Sequence, residues 1–460
     1  MPRRSSARGR VAGEGNDLAW AMRSELEGRR EEAAGAPASL GRNIAVKALS
    51  EVAVKGGRLV LLVAAARVWA PESFGVFVFA GSFATMLTAT ADFGLQLQLA
   101  RAIAQGEGAA ALGAAVRAKL VLSALTLLAL GVAVALYPRR EIAGVLLVAG
   151  GALLAQSWCE LWNHYFRGRR RLREEAGLNL LYVVGGSLVG LLVLGAGGGV
   201  LAVYLVLLLA ALAGSVVGAA RVRALVPSDR RAFPLEASTA GSDDGGSAWA
   251  ALREAFPIGI AVLLSTIYFR LDMVLLERMR GDVETAIYGA ASRLLESAFV
   301  VPALVLAAVF PELAERARAS RTELARFFRG ALVGMATLGA AAAVAFAVAA
   351  PPLVHLLYGP AYADAGAQLR LLAPALCFFF PTYLLMSFLI AMGEQCSTAW
   401  FAAAGILINL AINLALIPAY GARGAIVATI ATEAALVFGA WFLAERRIAR
   451  QPAVAQGVAG

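Results

Sequence analysis

Apolar runs of about 20 residues recur along nearly the whole chain, separated by short clusters of Arg, Gly, Pro and Asp. A helix rising about 1.5 Å per residue needs roughly that many residues to cross a bilayer's hydrocarbon core. The runs lie near residues 43–66, 74–100, 115–137, 142–166, 175–195, 200–220, 252–276, 286–310, 327–350, 367–392, 397–418 and 422–444. These about twelve runs, with no two-residue alternation, exclude an outer-membrane barrel and predict an all-α polytopic membrane protein. Of 460 residues 60% are hydrophobic and only 16% charged, where a soluble domain is about half apolar. The net charge of +10 then belongs to cytoplasmic loops, and no nucleic-acid partner is expected.

The chain divides into five parts. Residues 1–38 read as a basic, disordered cytoplasmic tail, with a short surface helix conceivable around Leu18, Trp20 and Leu26. That tail lacks the apolar core of a signal peptide. A first set of about six helices occupies 39–223 and a second occupies 251–446, with a tail at 447–460. Between the sets, 224–250 contains Ser238-Thr-Ala-Gly-Ser-Asp-Asp-Gly-Gly-Ser, which is linker chemistry on the cytoplasmic side. A shift of about 214 residues lays Phe74-Gly75 on Tyr288-Gly289 and Leu99-Ala100 on Leu313-Ala314, so two like halves enclosing one cavity are expected. Arg and Lys crowd alternate connections: Arg101, Arg117 and Lys119; then Arg167 to Arg173; then Arg221, Arg223, Arg230 and Arg231. Arg316 to Arg326 and Arg446 to Arg450 continue the series, which places both termini in the cytoplasm; Arg139, Arg140, Arg278 and Arg280 lie on the other side without reversing the bias.

Charge inside the apolar runs marks the candidate site. Lys47, Glu51 and Lys55 are spaced i, i+4, i+8, and Arg58 follows three later, so the first helix carries one charged stripe. Such a stripe must face protein or water, since a charge in hydrocarbon costs several kcal/mol. Lys47, Lys55 and Arg58, with Arg270 on the seventh helix, are candidates for binding an anionic head group. Glu51 can pair with either lysine, and Asp272 with Arg58 or Arg270. Arg293 and Glu296, three apart, are expected to form an internal salt bridge. Asp92, Glu160 and Glu433 are single carboxylates suited to relay protons. Asn409 and Asn413 share a helix face, where they can bond a sugar or each other's neighbours. Trp158 and Trp162 suit an interfacial anchor, and Pro374 and Pro381 a kinked tenth helix.

Several segments carry a resemblance. Arg67-Val-Trp-Ala-Pro-Glu-Ser-Phe-Gly, followed by Ala91-Asp-Phe-Gly-Leu, is similar to the opening of the polysaccharide-biosynthesis flippases of the multidrug/oligosaccharidyl-lipid/polysaccharide (MOP) exporter superfamily. Trp-Ala-Pro-Glu departs from that family's usual Leu-Gly-Pro-Glu. Tyr268-Phe-Arg-Leu-Asp272 with Tyr288-Gly-Ala-Ala-Ser-Arg-Leu-Leu-Glu296 resembles the start of its second half. Leu357-Tyr-Gly-Pro and Asn409-Leu-Ala-Ile-Asn413 resemble its ninth connection and last hairpin, so the likeness spans roughly residues 40–445. The resemblance implies two six-helix bundles in a MATE-like V. It also implies a flippase that moves an undecaprenyl-pyrophosphate-linked oligosaccharide across the bacterial inner membrane by alternating access, for a surface polysaccharide such as O-antigen. Glycosyltransferases and polymerases would then be its partners.

The composition argues against other classes. Cys159, Cys377 and Cys396 form no disulfide or metal spacing, His164 and His355 are the only histidines, and no cofactor or metal is expected beyond coupling H⁺ or Na⁺. No phosphate-binding Gly-Lys-Ser/Thr loop or Gly-x-Ser-x-Gly occurs, which argues against an enzyme. A cation-coupled multidrug exporter of the same superfamily is the first alternative, though the cationic first helix opposes it. A membrane enzyme or scaffold of glycan assembly is the second.

Overall fold

The computed structural model describes residues 46–47, 49–106, 108–226, 248–319 and 321–450. The stretch 16–32, most of the linker (227–247) and residues 451–460 lie outside the described residues. Among the described residues eleven helices are long and apolar enough to cross a membrane, and the striped α1 (49–68) precedes them. They are α2 (Pro71–Asp92, continuing as Leu95–Ala104), α3 (Gly108–Leu136), α4 (Ala143–Gly168), α5 (Leu172–Gly195) and α6 (Val200–Leu225). The second set is α7 (Ala248–Arg280), α8 (Asp282–Ser297, continuing as Val300–Ala319), α9 (Arg321–Tyr358), α10 (Ala363–Leu372 and Leu376–Ala391), α11 (Gln395–Tyr420) and α12 (Ala422–Arg450). Leu128, Leu192, Val216, Val348 and Leu407 point outward, as helices solvated by hydrocarbon allow.

Small residues let the helices approach. A Cβ added to Gly218 of α6 would meet Trp162 of α4 at 2.5 Å, and one on Gly214 would meet Tyr182 at 2.7 Å. Trp162 is therefore a packing residue; its ring is buried. Gly186 approaches Ala210 of α6, whereas Gly190 faces Leu61 of α1. In the second set α11 lies along α7 and α12, and α10 packs between α9 and α12.

The expected spans hold, with local differences. The run 74–100 is not one helix: Phe93 (φ 34°) and Gly94 (φ 71°) both take the left-handed conformation and end α2 at Asp92. Gly94 lies against the backbone of Gly259 in α7, too close for a side chain. Arg117 and Lys119 are not in a connection but inside α3, which starts earlier because Ala-rich 109–118 favours helix. Arg447 and Arg450 belong to α12 rather than to a tail. Pro374 sits in a 3-10 turn that interrupts α10, and Pro381 lies within its second segment. A π-helical turn, Leu180–Val184, lies inside α5.

The two sets meet along α2, which packs against both α7 and α8. Gly75 of α2 touches the Asp282 carbonyl and Gly289 of α8 touches Val78, so the glycines paired by the internal repeat both serve this seam. We call the face where α1 begins and α12 ends proximal. There Lys47 reaches Glu175, Gln98 reaches Glu254, and Arg447 reaches Glu394. The opposite face is distal.

Candidate functional site

In the first half the α1 stripe splits into two parts. Lys47 Nζ lies 2.6 Å from Glu51 and 2.5 Å from Glu175, and Arg167 Nη2 lies 2.6 Å from the same Glu175 oxygen. Glu175 is fully buried, so two cations hold it and tie α1 to α4 and α5. Lys55 and Arg58 are exposed and make no ion pair among the described residues. Gly57 and Leu61 turn α1 toward Ser187 and Gly190 of α5, which leaves these two cations beside that contact.

Deeper in this half, Asp92 Oδ1 accepts from Lys119 Nζ at 2.6 Å, Gln96 Nε2 at 2.6 Å and Ser157 Oγ at 2.5 Å. Lys119 is 0% exposed. One turn beyond Ser157, Glu160 accepts from the Tyr182 hydroxyl at 2.7 Å. Three helices thus bring their polar groups to the residue at which α2 breaks. Sequence reasoning missed Lys119, because charge near a run's edge reads as a loop. The helix-favouring alanines before it were the available signal.

In the second half, Arg270 of α7 and Arg293 of α8 share one carboxylate. Arg270 Nη1 lies 2.8 Å from Glu296 Oε1, and Arg293 Nη1 lies 2.9 Å from Oε2. Arg293 Nη2 also donates across the seam to Ser82 Oγ of α2 at 3.2 Å. The expected Arg293–Glu296 bridge is present. Asp272 pairs with neither Arg58 nor Arg270; it accepts from the Tyr288 hydroxyl and, at 2.7 Å, from the Met273 amide. The reason is register: Asp272 is two residues from Arg270, so the two side chains diverge on α7. Glu433, 1% exposed, accepts from Tyr268 at 2.6 Å and Thr382 at 3.2 Å, both hydroxyls. Asn413 Nδ2 donates to Asn409 Oδ1 at 2.7 Å, so these buried amides bond each other within α11. Among the described residues no three His, Cys, Asp or Glu side chains gather to hold a metal.

At the distal face the halves are tied. Arg139 forks onto Asp282, with both Nη–Oδ distances 2.7 Å, and reaches Glu277 at 2.9 Å. The Asp282 hydrogen bonds hold the Arg139 guanidinium far above its ordinary range, against the opposing effect of burial. Burial, then the Glu277 carboxylate, push the Tyr137 hydroxyl up, so it stays a donor to Glu277. Arg67 caps the carbonyls of Leu356 and Leu357, the latter at 2.6 Å. Phe74 packs edge-on to Tyr362 and near Tyr358.

The family described as polysaccharide biosynthesis protein matches residues 40–316, and MatE matches residues 257–415. The fold is similar to that of a multidrug resistance MATE family transporter of the MOP superfamily. Its inward-facing conformation gives a TM-score of 0.67 at 15% identity, covering 85% of this chain and 94% of that one. An outward-facing conformation of a multidrug resistance MATE family transporter of the MOP superfamily gives 0.59 at 17% identity, covering 88% and 95%. A MOP superfamily transporter from Pyrococcus furiosus, described as having a binding pocket of reverse polarity that suggests a different function, gives 0.56 at 18% identity, covering 88% and 93%. No curated protein matches the chain.

Proposed function

The chain belongs to the polysaccharide biosynthesis protein family and has the fold of MOP-superfamily transporters, and from that premise we propose that it flips a lipid-linked oligosaccharide carrying a pyrophosphate. The observation that carries this reading is the pair Arg270 and Arg293 held on the single carboxylate of Glu296 beside the inter-half seam. Each guanidinium carries five N–H donors and gives only one to Glu296, so donors remain for an anion; Asp272 nearby is held by Tyr288 and the Met273 amide. A pyrophosphate offers more oxygens than Glu296 does, and charge-assisted hydrogen bonds to it are short and strong. Lys55, one turn from Glu51, and Arg58 make no ion pair among the described residues and serve as an outer cationic approach for the same head group. The polyprenyl tail stays in the bilayer while the sugars cross between the halves.

The halves touch at both faces, through Arg139–Asp282 and Arg67–Leu357 distally and Gln98–Glu254 proximally; the arginine bias puts the proximal face in the cytoplasm, and in this reading the cargo loads from there. Glu433, buried with hydroxyl partners alone, is the first of the coupling candidates for H⁺ or Na⁺; Asp92 and Glu160 follow. Glycosyltransferases supply such a cargo on one face and a polymerase consumes it on the other. The test is to delete the gene and extract lipid-linked intermediates. Pyrophosphate-linked oligosaccharide accumulating on the cytoplasmic face, and cleared by wild type but not by Arg270→Ala or Arg293→Ala, is the expected result. Intact surface glycan without accumulation would overturn the reading. The MatE match over 257–415 favours a second reading, drug export. That reading predicts a broad loss of resistance to cationic drugs in the same deletion strain.

A further inference from the structure

A groove of about 450 Å³ lies between α5 and α6, on the outside of the first half. Gly177, Leu180, Leu181, Gly185 and Val217 line it, and Arg221 stands at its end. Leu180 and Leu181 are among the exposed apolar residues of the lipid-facing exterior. Arg221 is four residues from the end of α6 at Leu225, about 6 Å along the axis, which is the level of lipid head groups. Its guanidinium makes no ion pair among the described residues. The nearest acids in sequence on α5 are already held: Glu174 by Arg171 at 2.9 Å, and Glu175 by Lys47 and Arg167.

Two glycines keep the groove open without being needed for packing. A Cβ on Gly185 would meet nothing closer than the Leu180 carbonyl at 3.7 Å, and one on Gly177 nothing closer than Arg221 Nη1 at 3.5 Å. Adjacent Gly186 is different, since a Cβ there would lie 2.9 Å from Ala210. Between the two open glycines runs the π turn Leu180–Val184, a feature that widens a helix and recurs at functional sites.

We propose that this groove binds an anionic phospholipid of the surrounding bilayer, with its phosphate on Arg221 and one acyl chain along Leu180, Leu181 and Val217. Charge complementarity selects an anionic head group, and the apolar walls select a chain rather than a soluble phosphate. The site is separate from the cargo site; Tyr182, inside the same π turn, connects it to the coupling candidate Glu160 by a hydrogen bond.

Native mass spectrometry of the full-length protein with added phosphatidylglycerol or phosphatidylcholine tests the proposal. Wild type should retain phosphatidylglycerol about fivefold over phosphatidylcholine, whose choline ammonium offsets the same phosphate charge, and Arg221→Gln should abolish the preference. Gly185→Leu, which fills the groove, should lower retention of both lipids. Val217→Trp fills it from α6 and replaces that variant if it does not fold. Unchanged phosphatidylglycerol retention in Arg221→Gln, or unchanged retention in a folded groove-filling variant, would overturn the site. A photo-crosslinker at Leu181 should capture phospholipid in membranes. Capture of only the polyprenyl-linked glycan, or of a protein, would overturn the assignment of the occupant. None of these readouts depends on cargo transport.

Discussion

The two halves of the molecule each bury charge near the middle of their helices, and they do it in opposite ways. In the first half one lysine meets one aspartate: Lys119 is enclosed, Asp92 is its partner, and Ser157 and Gln96 complete the bonding. In the second half two arginines, each about a fifth exposed (20% and 21%), compete for Glu296. In the first cluster the cation is wholly enclosed and only its acid is partly exposed, so it holds α2, α3 and α4 together at the break in α2. In the second both cations are partly open and have N–H donors to spare, so it can take an anion. Burial of the cation, rather than the number of charges, separates a structural pair from a candidate binding site.

The strongest test of that contrast removes one partner of the enclosed pair. Asp92→Leu leaves the buried Lys119 without its bonded carboxylate, a loss of about 3 kcal/mol, and the protein's melting in detergent should fall sharply. Asp92→Leu with Lys119→Met should recover most of the loss, because apolar replacement of a whole buried pair is often neutral. Wild-type melting of the single variant would break the comparison. A stable but transport-dead double variant would move this cluster from support to coupling.

Next in size is the open cluster. Arg270→Ala or Arg293→Ala should weaken binding of inorganic pyrophosphate about 10- to 100-fold, with melting nearly unchanged. Glu296→Gln should act in the other direction and tighten it, since the internal competitor loses its charge. Titration calorimetry on the purified protein reads all three. Tighter binding on removal of either arginine would show that the site serves some other ligand.

The sequence carried the helices well and the partners poorly. Bilayer length dictates spans, so the runs could be counted; the left-handed Phe93–Gly94 pair could not, because it answers to the backbone of Gly259, far along the chain. The Arg293–Glu296 bridge was legible since both ends lie on one helix. Arg270 joining the same carboxylate was not, and neither was Tyr288 taking Asp272, because those contacts depend on how α7 and α8 cross. The stripe on α1 was visible as a pattern, but only the fold shows that Glu175 takes up Lys47 and leaves Lys55 and Arg58 open.

A smaller effect should come from the distal face. Arg139→Ala removes the fork onto Asp282 and leaves Glu277 with Tyr137. Opening there should become about 5- to 30-fold more frequent, a shift of roughly 1–2 kcal/mol. Hydrogen exchange of residues 71–80 and 282–290 should accelerate, while exchange near the enclosed Asp92–Lys119 pair should not. Equal acceleration at both places would mean that the halves loosen as a whole.

The least effect is expected from α1, where the sequence alone placed the head group first. Lys55 and Arg58 are exposed, so water and salt screen them and each contributes little. Alanine at either should weaken pyrophosphate binding only about two- to fivefold, and the loss should shrink as salt rises. The same substitutions at Arg270 or Arg293 should resist salt, because those guanidiniums sit partly enclosed against Glu296. A ranking in which Arg58→Ala costs more than Arg293→Ala, at both low and high salt, would reverse the roles of the two regions. The α1 cations would then hold the head group, and the Arg270–Glu296–Arg293 cluster would be a clasp joining α7 to α8.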